Sequence, residues 1–337
     1  MPWRGVWNKS TMKPTVSIGI PTYNRAPLLA QAIKSVLRET YQDFEIIVSD
    51  DCSSDNTADV VRSFGDDRIR YHRTTVRLKV PPNWNECVRL AQGEFFALLP
   101  DDDVYCPEFL ETMVAALRQV PDAGFVQCGF QIVDQELRCI RPRLVHPEPL
   151  TLRGEDAVIW QLQHLYCLPA ALLFRHAAML QMGLWREDYW DDWAFIVRLA
   201  YRHGFVFVPK LLSCVRFHDQ NLGKQIVELG FDNILNTYNN NSDVFGEALP
   251  ATPRIIALRA SRDRRLSHMY MIAVVRSLQR FDWAKARLYF AQARHLYALA
   301  GIDLGFIGLA LANTVEKYRE RRRRQTARLK APVVRLD

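Results

Sequence analysis

An α/β fold with a mostly parallel central sheet and a C-terminal helical extension is what the sequence predicts. Three observations carry this expectation. Short β-branched runs alternate with helical patterns through the first third of the chain. The first strand runs end in Pro or acidic residues, as strands do when their carboxyl ends open onto loops. Beyond about residue 224 strand patterns stop and long helical ones take over.

Taken in order, residues 15–20 (TVSIGI) and 44–49 (FEIIVS) read as strands bounded by Pro21 and by Asp50 and Asp51. Between them Leu28, Leu29, Ala32, Ile33, Val36 and Leu37 recur at helical spacing, and Asp55 can cap a helix running to Phe64. Strand, helix, strand, helix in that order implies parallel pairing with crossover helices. Residues 69–72 and 95–99 continue the strands with a helix over 85–91 between them, and Pro107 opens another helix. Short strands and loops fill 124–149, and further strands follow at 170–174, 205–208 and 211–217, with a helix over 191–201. Residues 253–278, 283–300 and 304–330 are helical in pattern, and the NTYNNNSD stretch marks a loop near the boundary. The division expected is 14–222 for the α/β domain and 223–337 for the helical region.

Composition narrows the class. The 337 residues are 49% hydrophobic and 24% charged, enough to bury about 75% of the unfolded surface, which excludes a disordered chain. The 15 Gly and 17 Pro show no period, which excludes collagen-like and low-complexity structure. Seven dispersed cysteines without C-x-x-C spacing support neither a disulfide framework nor a zinc knuckle. No apolar leader opens the chain, so a reducing, cytoplasmic setting is expected.

The net charge of +7 is local. Residues 316–330 hold eight basic and two acidic side chains, so the tail accounts for nearly all of it. The uncharged run before the tail, 304–315, is too short to span a bilayer but fits an interfacial helix whose arginines meet anionic lipid. Residues 304–330 are therefore the candidate contact with an anionic membrane surface at the inner face of the cell membrane. Nucleic acid is disfavoured as a partner because no aromatic platform accompanies the arginines.

Asp101, Asp102 and Asp103 follow a buried strand directly. Adjacent carboxylates repel, and a divalent cation with oxygen ligands, Mg2+ or Mn2+, relieves that repulsion. A solvated loop capping the next helix is the alternative on spacing alone. Asp50, Asp51 and the triad all fall at carboxyl ends of strands, where ligands bind in open α/β sheets.

The blocks VSIGIPTYNR (16–25), SDDCSSDNT (49–57), NWNECVRLAQGEFFALLPDDD (83–103) and WDDWAFIVRLAYRHG (190–204), followed by VRFH (215–218), resemble in order the signature blocks of the family 2 glycosyltransferases. The resemblance covers about two-thirds of the chain. It implies a GT-A nucleotide-diphospho-sugar transferase fold and an inverting transfer from a nucleotide-diphospho-sugar donor, most simply UDP-linked, to a glycan or lipid-linked glycan in bacterial surface polysaccharide synthesis.

Residue by residue, the resemblance implies that Pro21 and Tyr23 lie beside the nucleobase and that Asp51 accepts its N–H, with Asn24 and Arg25 adjoining. Asp101 faces the ribose side, and Asp102, Asp103 and His218 are the metal ligands. Asp192, with Asp191 beside it, is the catalytic base. Lys79 and Asn85 are further donor contacts, with Arg77 as an alternative. Two departures stand out: Pro100 replaces an Asp common in the family, and NWN replaces a basic residue followed by Asn. A sugar nucleotidyltransferase is disfavoured because PTYNRAP stands where its glycine-rich phosphate loop belongs. A non-catalytic nucleotide- or sugar-binding module at the membrane is the remaining alternative.

Overall fold

The structure is a computed structural model describing residues 13–163, 168–186, 191–217, 249, 251–279 and 282–297. In chain order its elements are β1 (Val16–Thr22), α1 (Ala26–Leu37), β2 (Phe44–Asp50), α2 (Thr57–Ser63), β3 (Ile69–Arg73), α3 (Pro82–Leu90), β4 (Phe95–Leu98), β5 (Val104–Tyr105) and α4 (Phe109–Gln119). There follow β6 (Phe125–Val133), β7 (Cys139–Arg143), β8 (Leu150–Leu152), α5 (Gly154–Gln163), β9 (Leu172–Arg175), α6 (His176–Met182), α7 (Asp191–His203) and β10 (Phe205–Arg216). Two long helices, α8 (Pro253–Gln279) and α9 (Trp283–Tyr297), close the described chain.

The sheet order is β3-β2-β1-β4-β9-β6-β10-β5. The first four strands are mutually parallel, as the alternating strand and helix patterns predict. From β4 onward the sheet is mixed: β9 runs antiparallel to both neighbours, β6 and β10 are parallel, and β5 is antiparallel to β10. Short β7 and β8 add to β6 and β10.

Both faces of this sheet are covered, so its strands read as continuous apolar runs. Alternate residues of β4 show the division: Phe95 and Ala97 join a core with Leu29 and Ile33 of α1 and Leu110 and Met113 of α4. Phe96 and Leu98 face the other way, into a core with Val88 of α3, Trp160 of α5 and Phe195 and Leu199 of α7. On β1, Gly19 lets α3 approach: a Cβ there would stand 2.5 Å from Cβ of Cys87.

Several elements differ from the sequence expectation. The strands expected at 205–208 and 211–217 are one strand, β10, whose register slips twice between Val208 and Ser213. These irregularities let the strand pass Pro209, which has no N–H to give the ladder. Helix α3 begins at Pro82 rather than Asn85, because Pro at the first helical position loses no bond. The strand expected from residue 170 opens as a 3-10 turn over Pro169–Ala171 before β9.

The chain divides into two compact units, Met1–Lys224 with Gly246–Leu249, and Gln225–Phe245 with Pro250–Asp337. In the second, α8 and α9 pack as a hairpin through Tyr270, Met271, Val274, Ala286, Tyr289 and Ala293. The small Ala286 and Ala293 allow the close approach expected of this pair, and Ser267 Oγ reaches the Ala293 carbonyl at 3.4 Å. Among the described residues no helix is long and apolar enough to cross a membrane. The tail expected to meet anionic lipid, 304–330, lies outside the described residues.

One buried group in the first unit sets a pH dependence. Glu39, just past α1, is 2% exposed, accepts a 3.0 Å hydrogen bond from the Leu110 N–H, and has its other oxygen without a partner among the described residues. Burial pushes its carboxyl up to about 9, so the folded protein holds the proton where the unfolded chain has released it. Between its ordinary value of 4.5 and about 9, stability therefore falls as pH rises, by up to about 1.4 kcal/mol per pH unit from this group. Urea unfolding at pH 6 and pH 8 is expected to show this loss in the parent protein and a flatter dependence in Glu39→Gln, which keeps an acceptor for Leu110 and carries no charge.

Candidate active site

The candidate site opens at the carboxyl ends of β1, β2 and β4. The chain leaves β1 towards β2 on one side, while β4 pairs on the other, which creates a crevice at the switch of strand order. Pro21 and Thr22 end β1 opposite Ser49 and Asp50 of β2.

On the β2 side, the Asp51 N–H donates to the Thr22 carbonyl at 2.9 Å, which ties the two strand ends. Its carboxylate accepts from the Leu78 N–H at 2.5 Å and the Lys79 N–H at 2.9 Å, and the Arg77 Nε stands 3.9 Å away. The Arg77 guanidinium lies 3.7 Å from the Tyr23 ring centroid. Tyr23, Asp51 and Arg77 are thus brought together. Lys79 contributes its backbone here, at φ 66°, and its side chain is exposed.

Asn24, at φ 52°, accepts from the Ser54 N–H at 2.7 Å while its own N–H donates to Ser53 Oγ at 2.9 Å. It fastens the loop after β1 to the loop after β2. Asp50 does similar work within its own loop, accepting from the Ser53 N–H at 2.8 Å and from the Tyr71 hydroxyl.

On the β4 side, the three adjacent carboxylates are nearly buried, with exposures of 4%, 7% and 5% for Asp101, Asp102 and Asp103. Asp101 accepts from the Thr22 hydroxyl at 2.7 Å. The Arg25 Nη1 bridges Asp101 at 3.0 Å and Asp102 at 3.1 Å. Burial and the Asp102 charge push Asp101 up to about 6 against the pull of Arg25. Burial and the same neighbour hold Asp103 well above the carboxylate range, opposed by the Arg216 N–H. For Arg25, burial works to remove the charge, but Asp101 and Asp102 outweigh it and raise its pKa above the ordinary value. The donor set is all oxygen and rich in negative charge, which suits a hard divalent cation. The expectation that Arg25 adjoins the nucleotide meets a different geometry here, since its guanidinium is engaged by the acidic triad.

Arg216 was not anticipated as a functional residue. It is 2% exposed at the end of β10, and its N–H donates to Asp103 at 2.9 Å. Its Nε reaches the Asp102 carbonyl at 2.8 Å, Nη2 reaches Gln31 of α1 at 2.9 Å, and Nη1 donates to the Gln135 carbonyl. The one sequence signal was its place in VRFH, two residues before His218.

Asn85, expected beside the donor, clamps a distant backbone. Its amide donates to the Trp185 carbonyl at 2.7 Å and accepts from the Trp185 N–H at 3.1 Å. It anchors the segment that leads towards α7 rather than offering its amide to the crevice. Asp191 opens α7, and Asp192 follows in its first turn. His218 lies outside the described residues, as do His164 and Tyr166. Among the described residues no cluster of three or more His, Cys, Asp or Glu has metal-holding geometry.

Residues 17–180 match the profile described as glycosyl transferase family 2. Over this stretch the chain is similar to glycosyl transferase family 2. A Campylobacter jejuni relative, the GalNAc(5)-diNAcBac-PP-undecaprenol beta-1,3-glucosyltransferase, is 42% identical over 128 residues, 36% of this chain and 40% of its own length. Alignments with four uncharacterized Rickettsia glycosyltransferases cover 35% to 66% of those proteins. Among solved structures, S. aureus TarS 1–349 in complex with UDP-GlcNAc superposes with a TM-score of 0.62 at 19% identity, over 94% of this chain and 92% of that one. A mannosyltransferase of Pyrobaculum calidifontis in complex with GDP-Man and Mn2+ gives 0.57 at 17%, over 96% and 87%. The chain therefore has the GT-A fold of these structures, with a mostly parallel, mixed sheet.

Within this fold, Arg216 is expected to carry structural weight out of proportion to its position at a strand end. Arg216→Met removes a buried charge facing the triad and is expected to cost about 3–5 kcal/mol in urea unfolding, with Arg216→Lys recovering part of it.

Proposed function

We propose that this protein is an inverting glycosyltransferase that moves a hexosyl-type sugar from a nucleotide-diphosphate donor, most simply a UDP-sugar, to a hydroxyl of a glycan or lipid-linked glycan. The observation that carries the reading is the convergence of Tyr23, Asp51 and Arg77 with the Asp101–Asp103 triad at one strand-order switch. In this reading a planar base lies against the Tyr23 ring, and the carboxylates of the triad in the same crevice would hold the cation that faces the diphosphate. The undecaprenol-linked activity named for the Campylobacter relative and the UDP-GlcNAc bound by TarS support the acceptor and donor classes.

In this reading Asp51 accepts the N–H of the base. The Leu78 and Lys79 amides orient its carboxylate while each oxygen keeps a lone pair to offer. Tyr23 stacks on the base and Pro21 flanks it, with Asn24 holding the loop that presents them. Asp101 meets the ribose side, and Lys79 and Asn85 support the donor side through backbone and position. Asp102, Asp103 and His218 hold Mn2+ or Mg2+, which when bound offsets charge on the departing diphosphate.

Asp192, with Asp191 beside it at the start of α7, accepts the acceptor hydroxyl's proton. The hydroxyl oxygen then bonds to the anomeric carbon from the face opposite the nucleotide. The bond from that carbon to the diphosphate oxygen breaks as the new one forms, and the configuration inverts. In this reading 14–222 is the transfer domain and 223–337 a helical region whose basic tail, 304–330, rests on anionic lipid at the inner membrane face in polysaccharide synthesis.

Calorimetry with UDP, dTDP and GDP, with and without Mn2+, tests the reading. One nucleotide is expected to bind in a metal-dependent manner, and Asp102→Ala to abolish or greatly weaken that dependence. With the matching nucleotide-sugar, Asp192→Asn is expected to lower turnover by about 10²–10⁴-fold while leaving nucleotide binding intact. Nucleotide binding without donor turnover in the parent protein would favour the non-catalytic module instead.

A further inference from the structure

We propose that the outer face of α9, centred on Trp283, Arg287, Leu288 and Phe290, is an interfacial contact that rests on an anionic lipid bilayer. This extends the membrane contact proposed above from the basic tail to a surface built of described side chains, and it does not depend on the transferase chemistry.

Helix α9 is apolar on more sides than its packing against α8 uses. Ala286, Tyr289 and Ala293 are buried, and their spacing of three and four residues sets them in one stripe. At about 100° per residue, Ala284, Leu288 and Ala291 fall opposite that stripe, and Trp283, Arg287 and Phe290 form the row beside them. All six are exposed. Trp283 is 64% exposed, Leu288 58% and Phe290 48%, so three large apolar side chains stand open along one helix. Each forgoes the stabilisation that burial of its apolar surface would bring, and contiguous apolar exposure of this kind marks an interaction site.

The charge around this face selects the partner. Residues 253–297 hold ten of the chain's 44 Lys and Arg but only two of its 37 Asp and Glu. Those two acids are engaged elsewhere: Asp263 is buried, and Asp282 caps α9, accepting from the Lys285 N–H at 3.1 Å. Helix α9 itself carries Lys285, Arg287 and Arg294 and no acidic residue. Arg259, Arg264, Lys285 and Arg287 are exposed. A second copy of the same hairpin would bring the same excess of positive charge and be repelled, whereas a negative surface is attracted.

A bilayer meets both properties at once. Fifteen residues of helix reach about 22 Å, short of the hydrocarbon core, so α9 lies along the surface and does not cross it. Trp283, Leu288 and Phe290 then enter the boundary between headgroups and acyl chains, where an indole ring is favoured. Arg287, between them on the helix, meets a lipid phosphate through its planar fork. The surrounding basic residues strengthen the contact on anionic lipid and give nothing on neutral lipid.

The test uses the full-length protein with vesicles of equal parts phosphatidylglycerol and phosphatidylcholine, or of phosphatidylcholine alone. The parent is expected to sediment with the anionic vesicles and to stay in solution with the neutral ones. Trp283→Ser, Leu288→Ser and Phe290→Ser combined, with the tail intact, are expected to weaken anionic binding by about tenfold or more. Arg287→Glu is expected to weaken it by about fivefold or more. Brominated lipid is expected to quench the parent's fluorescence more than that of Trp283→Phe, which still binds. Circular dichroism confirms that each variant is folded, and Phe290→Ser alone replaces the combined variant should that not fold.

Anionic binding by the folded combined variant equal to the parent's would overturn the proposal and leave the membrane contact to the tail. Equal binding of the parent to neutral vesicles would overturn the anionic assignment. Binding of the parent to neither vesicle would overturn both membrane contacts and leave the transferase reading, which nucleotide calorimetry tests separately. A parent dimer that the combined variant abolishes, with vesicle binding unchanged, would assign the face to a second copy of the chain.

Discussion

Three consecutive carboxylates held almost fully buried at the end of β4 are the constraint around which the first unit is organised. Left alone they would repel one another and draw in water or protons. The fold counters this with two arginines from opposite directions: Arg25 from the start of α1 and Arg216 from the end of β10. Each guanidinium ties a separate part of the chain to the same short loop. The parallel half of the sheet and its mixed half are therefore joined through electrostatics at the site as well as through the strand ladder.

The remaining loops around the crevice are fixed by side-chain to backbone hydrogen bonds rather than by regular structure. Asn24 joins the loops after β1 and β2, Asn83 of α3 bonds both the hydroxyl and the carbonyl of Ser49, and Asn85 bonds both backbone groups of Trp185. A short polar side chain in such a place satisfies groups that a loop would otherwise leave unpaired in the interior. Tyr23 and Asp51, which the proposed function places against the nucleobase, are then held in position by the framework around them. The near-buried Asn83 and Asn85 thus hold Ser49 and Trp185 in place.

This explains what could be read from residues alone. Strands β1, β2 and β4 were legible because they are short, apolar and β-branched or aromatic, and because each ends at a Pro or an Asp. The triad and Asp51 were legible because strand ends at a switch of sheet order gather ligands. Strand β6 was read as short strands and loops, since Gln127, Gly129 and Gln131 interrupt its apolar pattern although it runs unbroken from Phe125 to Val133. Arg216 was silent because a charged residue closing a strand looks solvent-facing, and only tertiary contacts with Gln31, Asp102 and Gln135 show it buried. Asn85 looked like a donor contact because its partner, Trp185, lies 100 residues away.

The division of the chain follows the same physics. The family match ends at residue 180, before α7 and β10. The residues that the proposed mechanism assigns to the base, the cation and the diphosphate, apart from His218, lie before that point, between Pro21 and Asp103. Those ligands present similar chemistry whatever sugar is carried, so one local set of residues suffices to meet them. An acceptor hydroxyl has no such common chemistry, and in the proposed mechanism it is met by α7 and the segments around it. These lie on the mixed half of the sheet, where β9 reverses direction and β6 and β10 are joined by long connections. Longer connections admit more sequence change without disturbing the parallel half. Arg216 and Asn85 are among the points where the mixed half is tied back to the parallel one, through Asp102 and Asp103 and through Trp185.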